Sequence, residues 1–520
     1  MKKQLLLVIM FAALSIAFLT VGCISGTETT DKNANENNLK FKLNEDQQSY
    51  AVVGVSSKGS ESVVIPATFR QKPVTIIAAR SFFGCRNMTS VIIPNSVVSI
   101  EKDAFSYCAG LKDVVVPDSV TNISEDAFYY CSNLASIQLP FIGTSRDTSS
   151  TEPFSIILGS VPDSLETVTI TGGSSIGDSA FSDCKSLKWI NLPDTVVSIG
   201  KSAFSGCKNL KRIDLPDAVV SIGEDAFHGC GKLEHLSIPD NVTYIGSGAF
   251  WNCESLPELS LPNGLTQIND HTFYSMEKLE SITIPDSVAS IGEGAFSSCT
   301  SLTNVQFGKG LTSIGEEAFR RCSALTELTI PDSVTFMGKS AFEKCDNLKK
   351  MTIPYAGSVK DGTSDPLREN DYFFAYLFGG DVPGYSYKYV PKSLEEVIIT
   401  GGKWIPANCF AHCYNIKRIT LPDSLKVLCD SAFDSCIGLT NIVIPEGTQK
   451  IRSFSFYRCA SLQKITIPSS VTYIGSVAFE SCINLSSIYY GGSKEQWNAI
   501  DKRDDWDKDT RGFTVYCQKE

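Results

Sequence analysis

Apolar residues along this chain recur in a fixed order, and the order repeats every 23 residues. The unit from Leu325 to Asn347 shows it. Leu325, Leu328, Ile330, Val334, Ala341, Phe342 and Cys345 are set apart by polar residues, glycine and proline. Leu328 and Ile330 alternate with Glu327 and Thr329, the period-two pattern of a half-buried strand, so the apolar pair points inward and Thr329 outward. Pro331 cannot donate to a sheet ladder and ends the strand. Pro331, Asp332 and Ser333 are turn chemistry. Val334 and the next apolar position open a second short extended piece, after which Gly338 permits a tight or positive-φ bend. Ala341, Phe342 and Cys345 then fall on one side of a single helical or 3₁₀ turn. Such a unit cannot fold alone, whereas stacked units pair their strands and bury one continuous core. Fifteen or more coils at about 4.7–4.9 Å per step predict a rod or arc of roughly 70–90 Å.

Most of the 18 cysteines keep the period. Cys85, Cys108 and Cys131 are 23 apart, as are Cys184, Cys207, Cys230 and Cys253. Met276 takes the same place, followed by Cys299, Cys322 and Cys345 and, after a longer gap, Cys413, Cys436, Cys459 and Cys482. A Phe stands three residues before each marker from Cys108 onward, usually with an Ala before it. A residue found once per coil stacks into an internal column, where a free Cys behaves as a small apolar residue. Disulfides between coils are the alternative, but parallel side chains on a ladder rarely meet the required torsion. Cys409 and Cys429 fill the Ala and Gly places of their coils. Cys409, His412 and Cys413 have the spacing of half a zinc site, with no matching second half. No metal and no cofactor is expected.

The recurrent I-P-D-S-V-x-x-I-G-x-x-A-F-x-x-C blocks, as at Ile284–Cys299, resemble the leucine-rich repeat superfamily, and most closely its BspA-like branch. The resemblance covers residues 62–490. It implies a right-handed leucine-rich repeat solenoid of short β-strands with turn or 3₁₀ segments, one strand per coil lining a continuous face. It also implies bacterial surface proteins that bind host or neighbouring-cell macromolecules and have no catalytic activity.

Two insertions break the rhythm, near 141–161 and 355–390. Both follow a strand proline, Pro140 or Pro354, and both return through related text, Val161–Gly173 and Val390–Gly402. The second is rich in aromatic residues: Tyr372, Phe373, Phe374, Tyr376, Phe378, Tyr385, Tyr387 and Tyr389. These rings either pack onto the solenoid or form a ligand-binding loop, since exposed aromatics favour interfaces. Residues 41–83 are expected to be an N-terminal cap and first coil, 84–490 the repeats, and 491–520 a C-terminal cap. The start of the chain is an address. Lys2 and Lys3 and an apolar run from Leu5 to about Thr20 read as a signal peptide over 1–22, with a retained membrane anchor as the alternative, and Gly22-Cys23 resembles a bacterial lipobox, which implies a lipid on Cys23. Residues 23–40 read as a polar tether.

Composition narrows the function. The net charge is −11, and an acidic chain has no long-range pull on phosphate, so nucleic acid is not the expected partner. The four His stand at unlike columns of their coils, so no Ser-His-Asp or metal trio is suggested, and no phosphate loop or metalloprotease motif is present. Outward strand positions are the default site of a solenoid. They include Trp189, Asn191, Arg212, Asp214, His235, Glu258, Asn304, Glu327 and Lys350, polar and mixed in sign. A broad contact with proteins or glycans at a cell surface or matrix suits them better than a deep pocket. The expectation is an exported, lipid-anchored, adhesin-like protein. An envelope scaffold organising the cell's own proteins is the alternative, and an enzyme acting on glycans or peptides a distant third.

Overall fold

The computed structural model describes residues 38–145, 152–356, 373–380 and 388–518. The leader, Cys23, most of the tether and Tyr372, Tyr385 and Tyr387 lie outside them. The described chain is a solenoid with three faces per coil. The first face is built from strands such as Arg212–Asp214 and His235–Ser237, which pair in parallel with Arg212 opposite His235. In each, the middle residue points into the core and its neighbours point out, as period-two alternation requires. The second face is a ladder of two-residue strands such as Ser198–Ile199, Ser221–Ile222 and Tyr244–Ile245. A strand pair at Leu39–Leu43 and Tyr50–Val55 covers the N-terminal end, and its first two residues, Leu39 and Lys40, belong to the expected tether. At the other end Asp501–Lys502 and Thr514–Cys517 still pair with the coil before them, and the expected cap is one more, irregular coil.

The third face holds the expected turn segments, without a continuous helix. It is a chain of turns in which alternate amides serve two purposes. Ser202, Phe204 and Gly206 donate to the carbonyls of Glu224, Ala226 and His228 in the next coil at 2.7–2.8 Å. Between them Ala203, Ser205 and Cys207 donate three residues back within their own coil. This geometry needs two left-handed residues per coil, Ser202 and Gly206 here, Asp225 and Gly229 in the next. On the two sheet faces the bonds run both ways: Lys211 donates to Lys188 and Gly223 to Ile199 in the coil before, while Ile330 donates forward to Thr352 and Ile123 forward to Thr144.

Gly338 is not a positive-φ bend. Its column sits where the chain presses on the preceding coil, and a Cβ on Gly338 would lie 2.4 Å from the Glu316 amide nitrogen. Inside, the Phe column forms a near-parallel stack, with Phe181, Phe204 and Phe227 at 5.4 and 5.2 Å between ring centres. Each such contact adds about 0.5–1.5 kcal/mol beyond burial. The repeat cysteines are buried and free. Within the runs of regular coils their thiols donate to the Phe carbonyl of the preceding coil, as Cys207 does to Phe181 at 3.1 Å and Cys230 to Phe204 at 3.3 Å.

The insertions leave the first face intact. Ser136–Leu139 pairs directly with Thr167–Ile170, and Lys350–Ile353 with Glu396–Ile399. The second-face ladder is interrupted at both places. Each insertion instead supplies third-face acceptors: Ile157 for Phe128, and Leu377, in the short helix Phe373–Leu377, for Phe342. A matching clasp closes both excursions, with Thr171 Oγ1 donating to Asp118 and Thr400 Oγ1 to Asp332, each at 2.5 Å. Gly172 and Gly401 beside them have no room for a side chain, because a Cβ would meet the Pro140 or Pro354 carbonyl oxygen at 2.7–2.8 Å.

Candidate binding face

The outward side chains of the first face form rows, one residue per coil, because parallel pairing in register sets like positions side by side. Thr167, Trp189, Arg212 and His235 are consecutive in one row. Trp189 is 43% exposed, with the Lys188 ammonium 5.9 Å from its ring centre. Lys188 is itself tied to Glu166 at 2.6 Å. Arg212 reaches forward along its own strand to Asp214 at 3.0 Å, and Asn191 donates to Thr169 at 3.1 Å. Glu258 and Asn304 each neighbour Ser281 in a second group. Glu327 and Lys350 open a third, which continues through Glu396 to Arg418.

That third row is a charge ladder. Lys350 lies 3.8 Å and Arg418 2.9 Å from Glu396. The hydrogen bond from Arg418 holds the Glu396 carboxyl below its usual range, with Lys350 adding to the effect. The ladder's charges are therefore largely matched within the chain. The nine expected residues fall into three groups rather than one, since the first-face sheet is interrupted after His235–Ser237 and after Asn304–Gln306.

Six exposed residues of the same face escape the sequence reading. Val64, Ile92 and Val115 form an aliphatic row at the N-terminal end, Ile92 being 50% and Val115 55% exposed. Val443, Tyr489 and Tyr516 stand at the C-terminal end, and the two tyrosine rings stack at 5.1 Å. All six occupy the outward column of Asn191 and Asp214; the 23-residue count links Ile92 to Val115, but Val64 and Tyr516 lie 28 and 27 residues from their neighbours Ile92 and Tyr489, so only the strand pairing reaches them.

The aromatic insertion needs correction. Phe373, Phe374 and Phe378 are buried, and Phe374 lies 4.7 Å from Phe410, so the insertion continues the internal ring stack. Tyr376 and Tyr389 are half-buried against the core. None of these five is a freely presented ligand-binding ring. His228 and His271, far apart in sequence, flank Trp251 at 5.3 and 5.4 Å on the third face. Among the described residues no group of His, Cys, Asp and Glu is arranged to hold a metal ion, and no helix is long and apolar enough to cross a membrane.

A model of the BspA type leucine rich repeat region matches residues 60–171, 174–285, 266–361 and 385–500. The chain belongs to the BspA-type leucine-rich repeat family. No curated protein matches it. A leucine-rich repeat protein from Bacteroides ovatus ATCC 8483 is 26% identical over 92% of this chain and 98% of its own, with a TM-score of 0.45. A leucine rich cell surface protein from Faecalibacterium prausnitzii A2-165 is 24% identical over 92% and 98%, with a TM-score of 0.22. The leucine-rich repeat protein of T. pallidum is 22% identical over 57% and 91%, at 0.20. BspA-type repeats make this molecule a repeat scaffold, the architecture of binding proteins with wide, shallow faces.

Proposed function

We propose that this BspA-type protein is a non-catalytic, adhesin-like binder of macromolecules on host or neighbouring cells, held on the bacterial envelope by a lipid on Cys23. The first face is its contact surface. The observation that carries this reading is the placement of large apolar side chains in water on that face. Val64, Ile92, Val115 and Trp189 stand among polar neighbours, and Val443, Tyr489 and Tyr516 at the far end. Apolar anchors within a polar rim are the anatomy of a protein interface. The matched charges between them favour register over steering, because Lys350, Glu396 and Arg418 already satisfy one another.

The test is binding of residues 38–518 to immobilised matrix proteins, mucins and bacterial surfaces. Saturable binding that falls at least about tenfold in Val115→Lys and Trp189→Ala, yet survives Val220→Lys on the second face, supports the reading. Uniform absence of saturable binding, or equal loss in all three variants, overturns it.

A further inference from the structure

One junction between coils differs from every other described junction. Across an ordinary junction, such as that between the coils of Leu210 and Leu233, three faces are joined. First-face strands pair at Arg212–Asp214 and His235–Ser237, and second-face strands at Ser221–Ile222 and Tyr244–Ile245. Third-face amides of Asp225, Phe227 and Gly229 donate to the next coil at 2.7–2.9 Å. At the next junction, between the coils of Leu233 and Leu256, both sheets stop. His235–Ser237 ends an eight-stranded sheet and Tyr244–Ile245 ends a four-stranded one. Elsewhere in the described residues, where one sheet is interrupted the other carries through.

The sequence supplies the cause. The residue after the Leu column donates its amide to the coil before: Lys211 to Lys188, and Glu234 to Lys211. Its successor is Pro257, which has no N–H to give Glu234. On the second face the Asn269 side chain, rather than its backbone amide, donates to the Ile245 carbonyl at 2.6 Å. Within the core Met276 occupies the cysteine place and has no thiol hydrogen for the Phe250 carbonyl. The Phe250–Phe273 spacing, 5.8 Å, is at the wide end of the column, beside 5.9 Å for Phe319–Phe342. Leu236 is only half-buried, whereas its counterparts Ile190, Ile213 and Leu259 are buried.

Only the third face keeps its backbone-to-backbone bonds. Gly248, Phe250 and Asn252 donate to Asp270, Thr272 and Tyr274 at 2.9–3.0 Å. An aromatic clasp lies over those bonds: Trp251 meets His271 at 5.4 Å and Tyr274 at 5.0 Å, both across the junction.

We propose that this junction is a built-in crease. The solenoid bends there by opening its two sheet faces about the third, with the Trp251 cluster as the hinge line. The crease falls between His235 and Glu258, so it divides the first face into two plates whose mutual angle adjusts to a curved partner. The crease itself follows from the pairing pattern and stands whether or not the first face binds.

Amide hydrogen exchange on the full chain tests it. In the unaltered chain, amides of 235–237 and 244–246 exchange at least about tenfold faster than the matching amides of 212–214 and 221–223. Pro257→Lys, which restores the donor found at Lys188 and Lys211, slows exchange at 235–237. Trp251→Ala speeds exchange at Gly248, Phe250 and Asn252 while leaving the third-face amides of Ser202, Phe204 and Gly206 unchanged. Equal protection on both sides of the junction in the unaltered chain overturns the proposal by itself, even where a variant misfolds. A Pro257→Lys protein that folds and exchanges as before overturns it too.

Discussion

The cysteine column shows what a single side chain contributes. Each thiol fills a space the size of a small apolar group and donates to a carbonyl that would otherwise accept only from its own coil, as Cys230 does to Phe204. Burial pushes the Cys230, Cys299 and Cys345 thiols up to about 12. A thiol titrating that high is almost wholly protonated at pH 8 and a poor nucleophile. Iodoacetamide at pH 8 should therefore modify the half-exposed Cys517 and spare Cys230, Cys299 and Cys345 until denaturant is added, as peptide mapping by mass spectrometry will show. Substituting Cys230→Ala should cost about 1 kcal/mol for the lost hydrogen bond, read from denaturant midpoints. Phe227→Ala should cost roughly 3–5 kcal/mol, because its ring is clamped between Phe204 and Phe250 and the void cannot collapse.

At the scale of the strand and the turn, sequence and structure part company in instructive places. Period-two alternation reveals which way Leu328 and Thr329 point, and the pairing confirms it. The same pattern cannot reveal the left-handed residues of the third face, because Ser202, Asp225, Tyr130 and Arg458 share no side-chain chemistry and are fixed by the stacking of neighbouring turns. Gly338 misleads for a related reason: glycine is needed there for space between coils, a property of two units that one unit does not display. The same logic predicts that Gly315→Ala destabilises the array by more than the few tenths of a kcal/mol of an unstrained surface change, since its Cβ would lie 2.6 Å from the Gly292 carbonyl carbon. Chemical denaturation of the variant checks this. The binding rows were half legible: the outward column is arithmetic, but their division at Pro257 and beyond Gln306 depends on pairing.

The whole molecule is a sum of near-identical contacts between neighbours, so its stability is local and its length is a free variable. Deleting 23 residues, 279–301, joins Lys278 to Leu302 and keeps every column in phase. That protein should fold with unchanged strand content by circular dichroism. Deleting 279–290 shifts the Phe and Cys columns out of phase and should leave an array that unfolds in two separate transitions.

The two-way bonding of the sheet faces reaches further than stability. Every peptide group is a small dipole, and on the sheet walls these point both along and against the axis, Lys211 reaching back to Lys188 and Ile330 forward to Thr352. Opposed dipoles largely cancel, whereas those of a helix add along its length. Each further coil therefore lengthens the sheet walls while adding little polarity to the mouths of the tube.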